Sequence, residues 1–189
     1  MRRAVLLIVP LALTACPHPV DPSAIQFWSL VEITTDEEAF AFKCLHRAED
    51  GSRTVACFTP VEIPLFTVEM DGHAVETTVA SDVVADRMPF DPGLIGRDVW
   101  RAHVASADAD LAAYNEASDP DVPEDRIEID LGEDGHPVEK RFFAGETLTA
   151  RVRFLEREAG HAGRIVLESF DPPYTIEIVQ GDVRHLYLV

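Results

Sequence analysis

Short segments of alternating apolar and polar residues make up most of the chain after residue 25. Alternation with a period of two is typical of strands that have one buried face and one exposed face. The pattern is clearest in residues 127–131, 148–154, 165–167 and 174–178. Strands of this kind form antiparallel sheets that are apolar on a single side. The chain is therefore predicted to have a mainly β (α+β) fold.

Two Asp-Gly pairs, at residues 50–51 and 71–72, predict hairpins because Asp-Gly favours two-residue turns between strands. The predicted strands are residues 40–45 and 53–58 in the first hairpin, and 63–70 and 73–80 in the second. In the first hairpin this turn places Cys44 opposite Cys57, at a pair where side chains approach closely. A disulfide is then feasible if the domain is in an oxidising compartment. The alternative is a pair of buried thiols that pack without bonding.

One segment interrupts the β pattern and predicts a helix over residues 91–100. Asp91 can cap the first turn, and Pro92 suits the first helical position because that N–H has no partner within the helix. Residues 107–117 predict a second short helix, which ends before a polar loop at residues 118–125. The first of these helices is the main candidate to cover the apolar face of the sheet.

Residues 1–15 have the pattern of a secretory signal. Arg2 and Arg3 precede an apolar stretch at residues 4–13. About ten apolar residues are too few for a transmembrane helix, which needs roughly twenty. Residues 1–15 are therefore predicted to be a signal peptide that is removed.

Residues 13–16 read Leu-Thr-Ala-Cys, which resembles the lipobox of bacterial lipoproteins. The resemblance implies that Cys16 is acylated and that a membrane is a partner through these acyl chains. Pro17 follows Cys16 instead of aspartate, which by the same resemblance favours the outer membrane, with the domain in the periplasm. Residues 16–24 are then a lipidated cysteine and a proline-rich tether, since closely spaced prolines disfavour helix and sheet. The alternative is an ordinary secretory signal cleaved near Ala15.

The charge balance excludes one class of partner. The chain has 16 Lys and Arg against 34 Asp and Glu, and loss of Arg2 and Arg3 with the signal leaves a net charge of about −20. Nucleic-acid binding needs clustered cations, so no nucleic-acid partner is predicted. A hydrophobic content of 47% and a charged content of 26% are ordinary for a globular protein, and one domain is predicted over residues 25–189.

No catalytic, metal or cofactor motif is visible in the sequence, and the chain is not expected to be an enzyme. The 7 histidines are dispersed, and the 3 cysteines include no C-x-x-C pair. Neither a G-x-S-x-G elbow nor a glycine-rich phosphate loop occurs. Acidic clusters at residues 119–125 and 130–134 could chelate calcium, but they lack the spacing of a calcium loop and are interpreted as solvated loops.

Two further segments, residues 87–100 and residues 164–179, resemble parts of the LolA and LolB lipoprotein carriers, and in particular of the LolB-like outer-membrane lipoproteins. Residues 87–100 are similar to the family's Pro-led segment, in which a leucine and a tryptophan lie on a helix that plugs the sheet. Residues 164–179 look like the family's closing strands. The resemblance covers most of the chain after Cys16. It implies a curved antiparallel sheet, or incomplete β-barrel, with a short helical plug.

Residues 59–62 read Thr-Pro-Val-Glu and resemble a loop that carries a membrane-touching apolar residue in the LolB receptor. The resemblance assigns this role to Pro60 and Val61. Val61 is smaller than the family's leucine, and the acidic Glu62 follows it. The chain therefore departs from the family pattern at the position that touches the membrane.

The resemblance also implies a function, which is to bind acyl chains or lipoproteins in an apolar groove and to serve lipoprotein or lipid transfer at the outer membrane. The predicted lining consists of Phe40, Phe42, Phe66, Val68, Val75, Leu94, Val99, Trp100, Val152, Phe154, Ile176 and Ile178. The same side chains could instead pack against each other as a closed core, which would leave an interaction or scaffold lipoprotein. An enzyme with a dispersed site is a third and weaker alternative.

Overall fold

The computed structural model describes residues 25–49, 52–85, 91–158, 161–181 and 184–185. The predicted signal peptide, Cys16 and the tether lie outside these residues. The strands are β1 (Ile25–Thr34), β2 (Ala39–Glu49), β3 (Ser52–Phe58), β4 (Pro64–Asp71), β5 (Ala74–Val79), β6 (Arg126–Leu131), β7 (Pro137–Ala144), β8 (Thr147–Glu158), β9 (His161–Phe170), β10 (Pro173–Gln180) and β11 (Arg184–His185). The helices are α1 (Asp82–Ala85), α2 (Pro92–His103) and α3 (Asp108–Ser118). In the described part of the chain, no helix is long and apolar enough to cross a membrane.

The strands form one antiparallel sheet in the order β5-β4-β3-β2-β1-β10-β9-β8-β7-β6, and β11 pairs with β1 outside this order. The pairing of β1 with β10 joins the two halves of the chain and places Val31 beside Ile178 and Ile33 beside Ile176. Among the described residues no pairing joins β5 to β6, so the curved sheet stays open. The predicted fold class, an incomplete β-barrel with a helical plug, is confirmed.

Both predicted helices are present. The Asp91 carboxylate caps α2 by accepting a hydrogen bond from Gly93 N at 2.8 Å. Helix α2 then continues past the predicted end to His103. At the start of α3, the Asp110 carboxylate accepts a hydrogen bond from Ser106 N at 2.7 Å. Local capping chemistry therefore determines where each helix begins.

The first hairpin has the predicted register. Glu49 pairs with Ser52, and Cys44 pairs with Cys57, across β2 and β3. The two cysteines form a disulfide, with their Cα atoms 4.1 Å apart. Both side chains are 2% exposed and belong to the core on the inner face of the sheet. Of the two alternatives that the sequence leaves open, the bonded one is observed.

The second hairpin turns one residue later than predicted. Strands β4 and β5 pair Asp71 with Ala74, so the turn residues are Gly72 and His73. A type II′ turn has glycine at its first central position, and Gly72 has a φ of 59° there. Moving the turn by one residue shifts the pairing by two, so the same side chains still face the core.

The period-two pattern does not predict two of the strands, β1 and β7. In β1 both faces are apolar, since Val31 and Ile33 are buried while Trp28 and Leu30 are exposed. In β7 the inner face carries a buried charged residue, Lys140. Alternation marks a strand only where one face is apolar and the other is polar.

Loss of the disulfide is expected to lower the free energy of unfolding by about 2–3 kcal/mol, because the bond closes a loop with a sequence separation of 13 in the unfolded chain. Urea unfolding with and without dithiothreitol measures the loss. The Cys44→Ala/Cys57→Ala variant is the control, since it should be destabilised from the start and insensitive to the reductant. Equal unfolding midpoints of the wild type in both conditions would contradict a bonded pair.

Candidate functional site

Helix α2 crosses the concave face and covers the apolar centre of the sheet. Ile95, Val99 and Trp100 are at most 7% exposed and belong to the core. Gly96 permits a close approach to β5, since a Cβ atom at this position would lie 2.4 Å from Thr77 Oγ1. A larger side chain here that is not bonded to the strand would push the helix away from it. Helix α2 is therefore the plug of the incomplete barrel.

The residues predicted to line a groove all lie on α2 or on the inner face of the strands. The buried ones are Phe42, Phe66, Val68, Val99, Trp100, Val152, Ile176 and Ile178. The partly buried ones are Phe40, Val75, Leu94 and Phe154. All but Phe40 and Leu94 belong to one continuous core. The structure brings the predicted set together, and its role in binding a ligand stays a prediction.

The interior beneath α2 is closed in this conformation. The space between Ile95 and Val99 and the facing side chains of Phe42, Leu167 and Ile178 is about 20 Å³. This is room for about one water molecule. Pockets that hold small-molecule ligands are usually roughly 300–1,000 Å³. The space beneath α2 is therefore too small for an acyl chain in this conformation.

A larger cavity, the mouth, opens at the N-terminal end of α2 and has a volume of about 200 Å³. Its walls are mainly apolar and include Ile33, Leu94, Ile95, Pro173 and Tyr174. Ile95 also borders the closed interior. The mouth and the interior therefore share a wall that belongs to α2.

A buried ionic cluster lies at the second half of α2. The Arg101 guanidinium donates to Asp98 Oδ1 at 2.6 Å and, through Nε, to Glu124 Oε2 at 3.2 Å. Its Nη2 also donates to Glu124 Oε1. The three side chains are at most 6% exposed. Buried charges are tolerated when they are paired and hydrogen-bonded, as these are.

The cluster continues into the sheet through two hydroxyl groups. Tyr174 on β10 donates to Asp98 Oδ2, and Thr149 on β8 donates to Glu124 Oε1. Satisfied buried networks of this kind rigidify a core and select one arrangement of its parts. The cluster thus ties α2 to one position on the concave face.

Lys140 on β7 holds the C-terminal end of α2. Its Nζ donates to the carbonyl oxygens of Arg101 and Ala102, both at 3.2 Å, and of Ala105 at 2.7 Å. Carbonyl groups at the end of a helix lack partners within the helix and favour a cation. Burial lowers the pKa of Lys140 to about 8, which leaves the ammonium group mainly charged at neutral pH.

Burial and pairing act in opposite directions on the ionisation of the cluster. Burial raises the pKa of Asp98, although Arg101 and the Tyr174 hydroxyl oppose the shift. Burial disfavours the charged form of Arg101, but Asp98 and Glu124 outweigh it and raise its pKa. Burial and the neighbouring Asp98 raise the pKa of the Tyr174 phenol. The guanidinium therefore stays charged, and the phenol stays a hydrogen-bond donor.

A histidine pair lies between β2 and the end of α2. His46 is 6% exposed and shares a hydrogen bond of 2.7 Å with Ser29. Its ring stacks on Phe27 and lies 5.5 Å from the ring of His103. Burial, together with Arg53, lowers the pKa of His46 to about 4, so the ring is neutral at neutral pH. Among the described residues, no group of three or more His, Cys, Asp or Glu side chains is placed to hold a metal ion.

Sequence reasoning missed the polar cluster. The interpretation of residues 119–125 as a solvated acidic loop is wrong for Glu124, which is 5% exposed. Its burial depends on Arg101, 23 positions earlier, and no local pattern reveals that contact. For Lys140 a signal exists, because it lies two residues before the buried Phe142 and therefore on the same face of its strand.

The loop between β3 and β4 exposes the residues predicted to touch a membrane. Thr59 N donates to Ile63 O at 2.9 Å, which makes the loop a tight turn. Pro60 is exposed, and Val61 is 77% exposed. Glu62 has a φ of 65°, in the left-handed region that few non-glycine residues adopt. The role of this loop at a membrane stays a prediction.

Two solved structures have a similar fold. A LolA superfamily protein from Nitrosomonas europaea is 12% identical with a TM-score of 0.53, over 88% of this chain and 87% of that chain. A protein described as an outer membrane lipoprotein-sorting protein domain, from Vibrio parahaemolyticus, is 8% identical with a TM-score of 0.56, again over 88% and 87%. No family model and no curated protein matches the sequence. The chain therefore shares the fold of these proteins, and the fold that the resemblance implies is confirmed.

Arg101→Met is expected to lower the free energy of unfolding by about 3–5 kcal/mol, because it leaves the Asp98 and Glu124 carboxylates buried without a cation. Urea unfolding measures the loss. Arg47→Met is the matched control, since the exposed pair of Arg47 with Glu49 should contribute less than about 1 kcal/mol. Similar small losses in both variants would show that the cluster does not hold α2 in place.

Proposed function

We propose that the protein is a lipid-anchored periplasmic carrier or receptor that binds acyl chains, free or attached to lipoproteins, between α2 and the sheet. The observation that carries this proposal is a helix seated over an apolar concave face, with an apolar mouth at one end. The mouth suits the entry of an apolar group, and the face beneath α2 is the surface that an acyl chain would cover. The fold shared with a protein described as an outer membrane lipoprotein-sorting domain supports this class of ligand.

The two halves of α2 are held by different kinds of contact. In the C-terminal half, hydrogen bonds and ion pairs join Asp98, Arg101 and the end of the helix to their surroundings. In the N-terminal half, Leu94 and Ile95 meet the mouth through apolar side chains. Apolar contacts are not directional and can be exchanged for contacts with a ligand. In this proposal the N-terminal half moves, and the polar cluster is the fixed end.

The energetics of this exchange favour binding. Movement of the N-terminal half exposes apolar surface of Ile33, Leu94 and Ile95, at a cost of about 25 cal/mol per Å². An acyl chain in the vacated space removes a similar area of protein from water. The acyl chain also leaves water, which contributes about 0.8 kcal/mol for each buried methylene. Binding therefore needs no directed bond between the protein and the chain.

The N-terminal sequence supports attachment at the outer membrane. Cys16 in its lipobox-like context would carry the acyl chains, and Pro17 after it favours the outer membrane by resemblance. The exposed Val61 at the tip of the β3–β4 loop is available to touch the same membrane. A carrier attached in this way would receive its ligand next to the bilayer that takes it up. The proposal assigns no catalytic step to any residue.

The alternative is a scaffold lipoprotein whose core is permanently filled. The observation that favours it is the interior of about 20 Å³ beneath α2. The two functions differ in one property that can be measured. A carrier needs α2 to move, whereas a scaffold does not.

A covalent lock between α2 and β5 is expected to abolish the uptake of an acyl ligand. The variant Thr77→Cys/Gly96→Cys brings two thiols within bonding range, since a Cβ atom on Gly96 would lie 2.4 Å from Thr77 Oγ1. Residues 17–189 of the wild type should bind a fluorescent fatty acid saturably. The oxidised variant should not bind it, and reduction should restore binding.

Controls for the lock separate it from the substitutions themselves. Thr77→Cys and Gly96→Cys alone carry the same changes without the bond. Reduced wild type is also needed, because the disulfide of Cys44 and Cys57 responds to the reductant as well. Equal binding by the oxidised variant and by the wild type would contradict a moving α2. No saturable binding by the wild type would support the scaffold instead.

Cys16→Ala is expected to abolish palmitate labelling and to release the protein into the soluble periplasmic fraction, because the acyl chains supply the attachment. Metabolic labelling and fractionation of cells that express each form measure both effects. Cys44→Ala/Cys57→Ala is the matched control, since it removes two other cysteines and should stay labelled and membrane-bound. Label retained by Cys16→Ala would refute acylation at this residue.

A further inference from the structure

The outer face of the sheet has two unlike halves. Over β6–β10 it carries a lattice of salt bridges, in which neighbouring carboxylates pair with Arg126, Arg141, Arg151, Arg153 and Arg164. At the centre of β1–β3 and at the adjoining end of β10, large apolar side chains replace this lattice, and Glu32 and the Arg47–Glu49 pair lie at their borders. An antiparallel sheet with one face in water usually carries polar residues on that face. This apolar group therefore indicates a partner other than water.

The outer apolar patch consists of Trp28, Leu30, Leu45, Phe58 and Val179. The sheet register places Leu30 beside Val179 and Trp28 beside Leu45. The rings of Trp28 and Phe58 lie 6.0 Å apart, which joins β1 to β3 across the patch. Trp28, Leu30 and Val179 are 47%, 50% and 41% exposed. Contiguous exposed apolar surface marks an interaction site, in contrast to single scattered residues.

The position of the tether selects the partner. Strand β1 begins at Ile25, nine residues after Cys16, and a chain of nine residues spans at most about 30 Å. Trp28 follows after three more residues. An acyl group on Cys16 would therefore keep the patch within a short distance of the bilayer. The exposed Val61 and Ile63 follow Phe58 in the next loop and add apolar surface beside the patch.

We propose that the outer apolar patch docks on the phospholipid bilayer and sets the orientation of the domain at the membrane, a proposal that rests on the acyl anchor of the proposed function. Tryptophan favours the membrane–water interface because its ring is amphipathic. Lys43 lies between Leu30 and Phe58 in the register and offers a cation to lipid phosphates. The anchor raises the local concentration of the bilayer, so a small apolar contact is sufficient.

The tryptophans of this chain make the contact measurable. The chain has 2 tryptophans, Trp28 and Trp100, and Trp100 is fully buried. Residues 17–189 with an N-terminal hexahistidine tag are held on phosphatidylcholine vesicles through a nickel-chelating lipid. Every described strand and helix lies after residue 24, so this form keeps them all. In vesicles of brominated phosphatidylcholine we expect a blue shift and a loss of Trp28 emission.

Two variants test whether the patch itself makes the contact. Trp28→Phe keeps only Trp100 and should show neither the shift nor the loss. Trp28→Phe/Phe170→Trp is the matched control, because Phe170 is 44% exposed and lies against Arg151 on the charged half of the outer face. Its new tryptophan should not be quenched by the brominated lipid.

The proposal is overturned if the tethered wild type is not quenched, or if the tryptophan at position 170 is quenched equally. A second result also overturns it. If the protein is a dimer in solution in which Trp28 is shielded from iodide, and Trp28 is not quenched on the vesicles, a second copy covers the patch. The tag replaces the acyl chains in this experiment. Quenching therefore supports docking even where Cys16 proves not to be acylated, so failure of the anchor and failure of docking are distinguishable.

Discussion

The burial of one guanidinium group, that of Arg101, is the constraint on which the position of α2 depends. A charge that is 1% exposed persists because Asp98 and Glu124 contact it, and these carboxylates in turn accept hydrogen bonds from Tyr174 and Thr149. The bonds can form together only when the helix, the segment before β6 and the strands β8 and β10 adopt one arrangement. Packing alone would let an apolar helix slide over an apolar sheet, since hydrophobic contacts have no direction.

The distribution of polar and apolar contacts along α2 makes a filled interior compatible with a carrier. Lys140 and the ionic cluster hold the C-terminal half, and apolar contacts of Leu94 and Ile95 hold the N-terminal half beside the mouth. In the proposed mechanism, a helix held at one end by directional bonds can uncover the face beneath the other end and still return to its place. A closed core and an open groove are then two conformations of one fold.

The two faces of the sheet meet different requirements, and β1 serves both. Its inner residues Val31 and Ile33 belong to the core, while its outer residues Trp28 and Leu30 are exposed. This strand is also the one that continues from the predicted tether. In the proposed orientation, the surface that would meet the bilayer is therefore built on the strand closest to the anchor, and the charged lattice of β6–β10 stays in water.

The sequence by itself determined the features that depend on neighbours within a hairpin or a helical turn. The Asp-Gly pair at residues 50–51 sets Cys44 against Cys57, and Asp91 with Pro92 starts α2, because a few adjacent residues settle each geometry. Only the tertiary structure decided the pairing of β1 with β10, the burial of Glu124 and how fully α2 occupies the interior. These features join residues distant in the chain, and their free energy comes from contacts that exist only after folding brings those residues together.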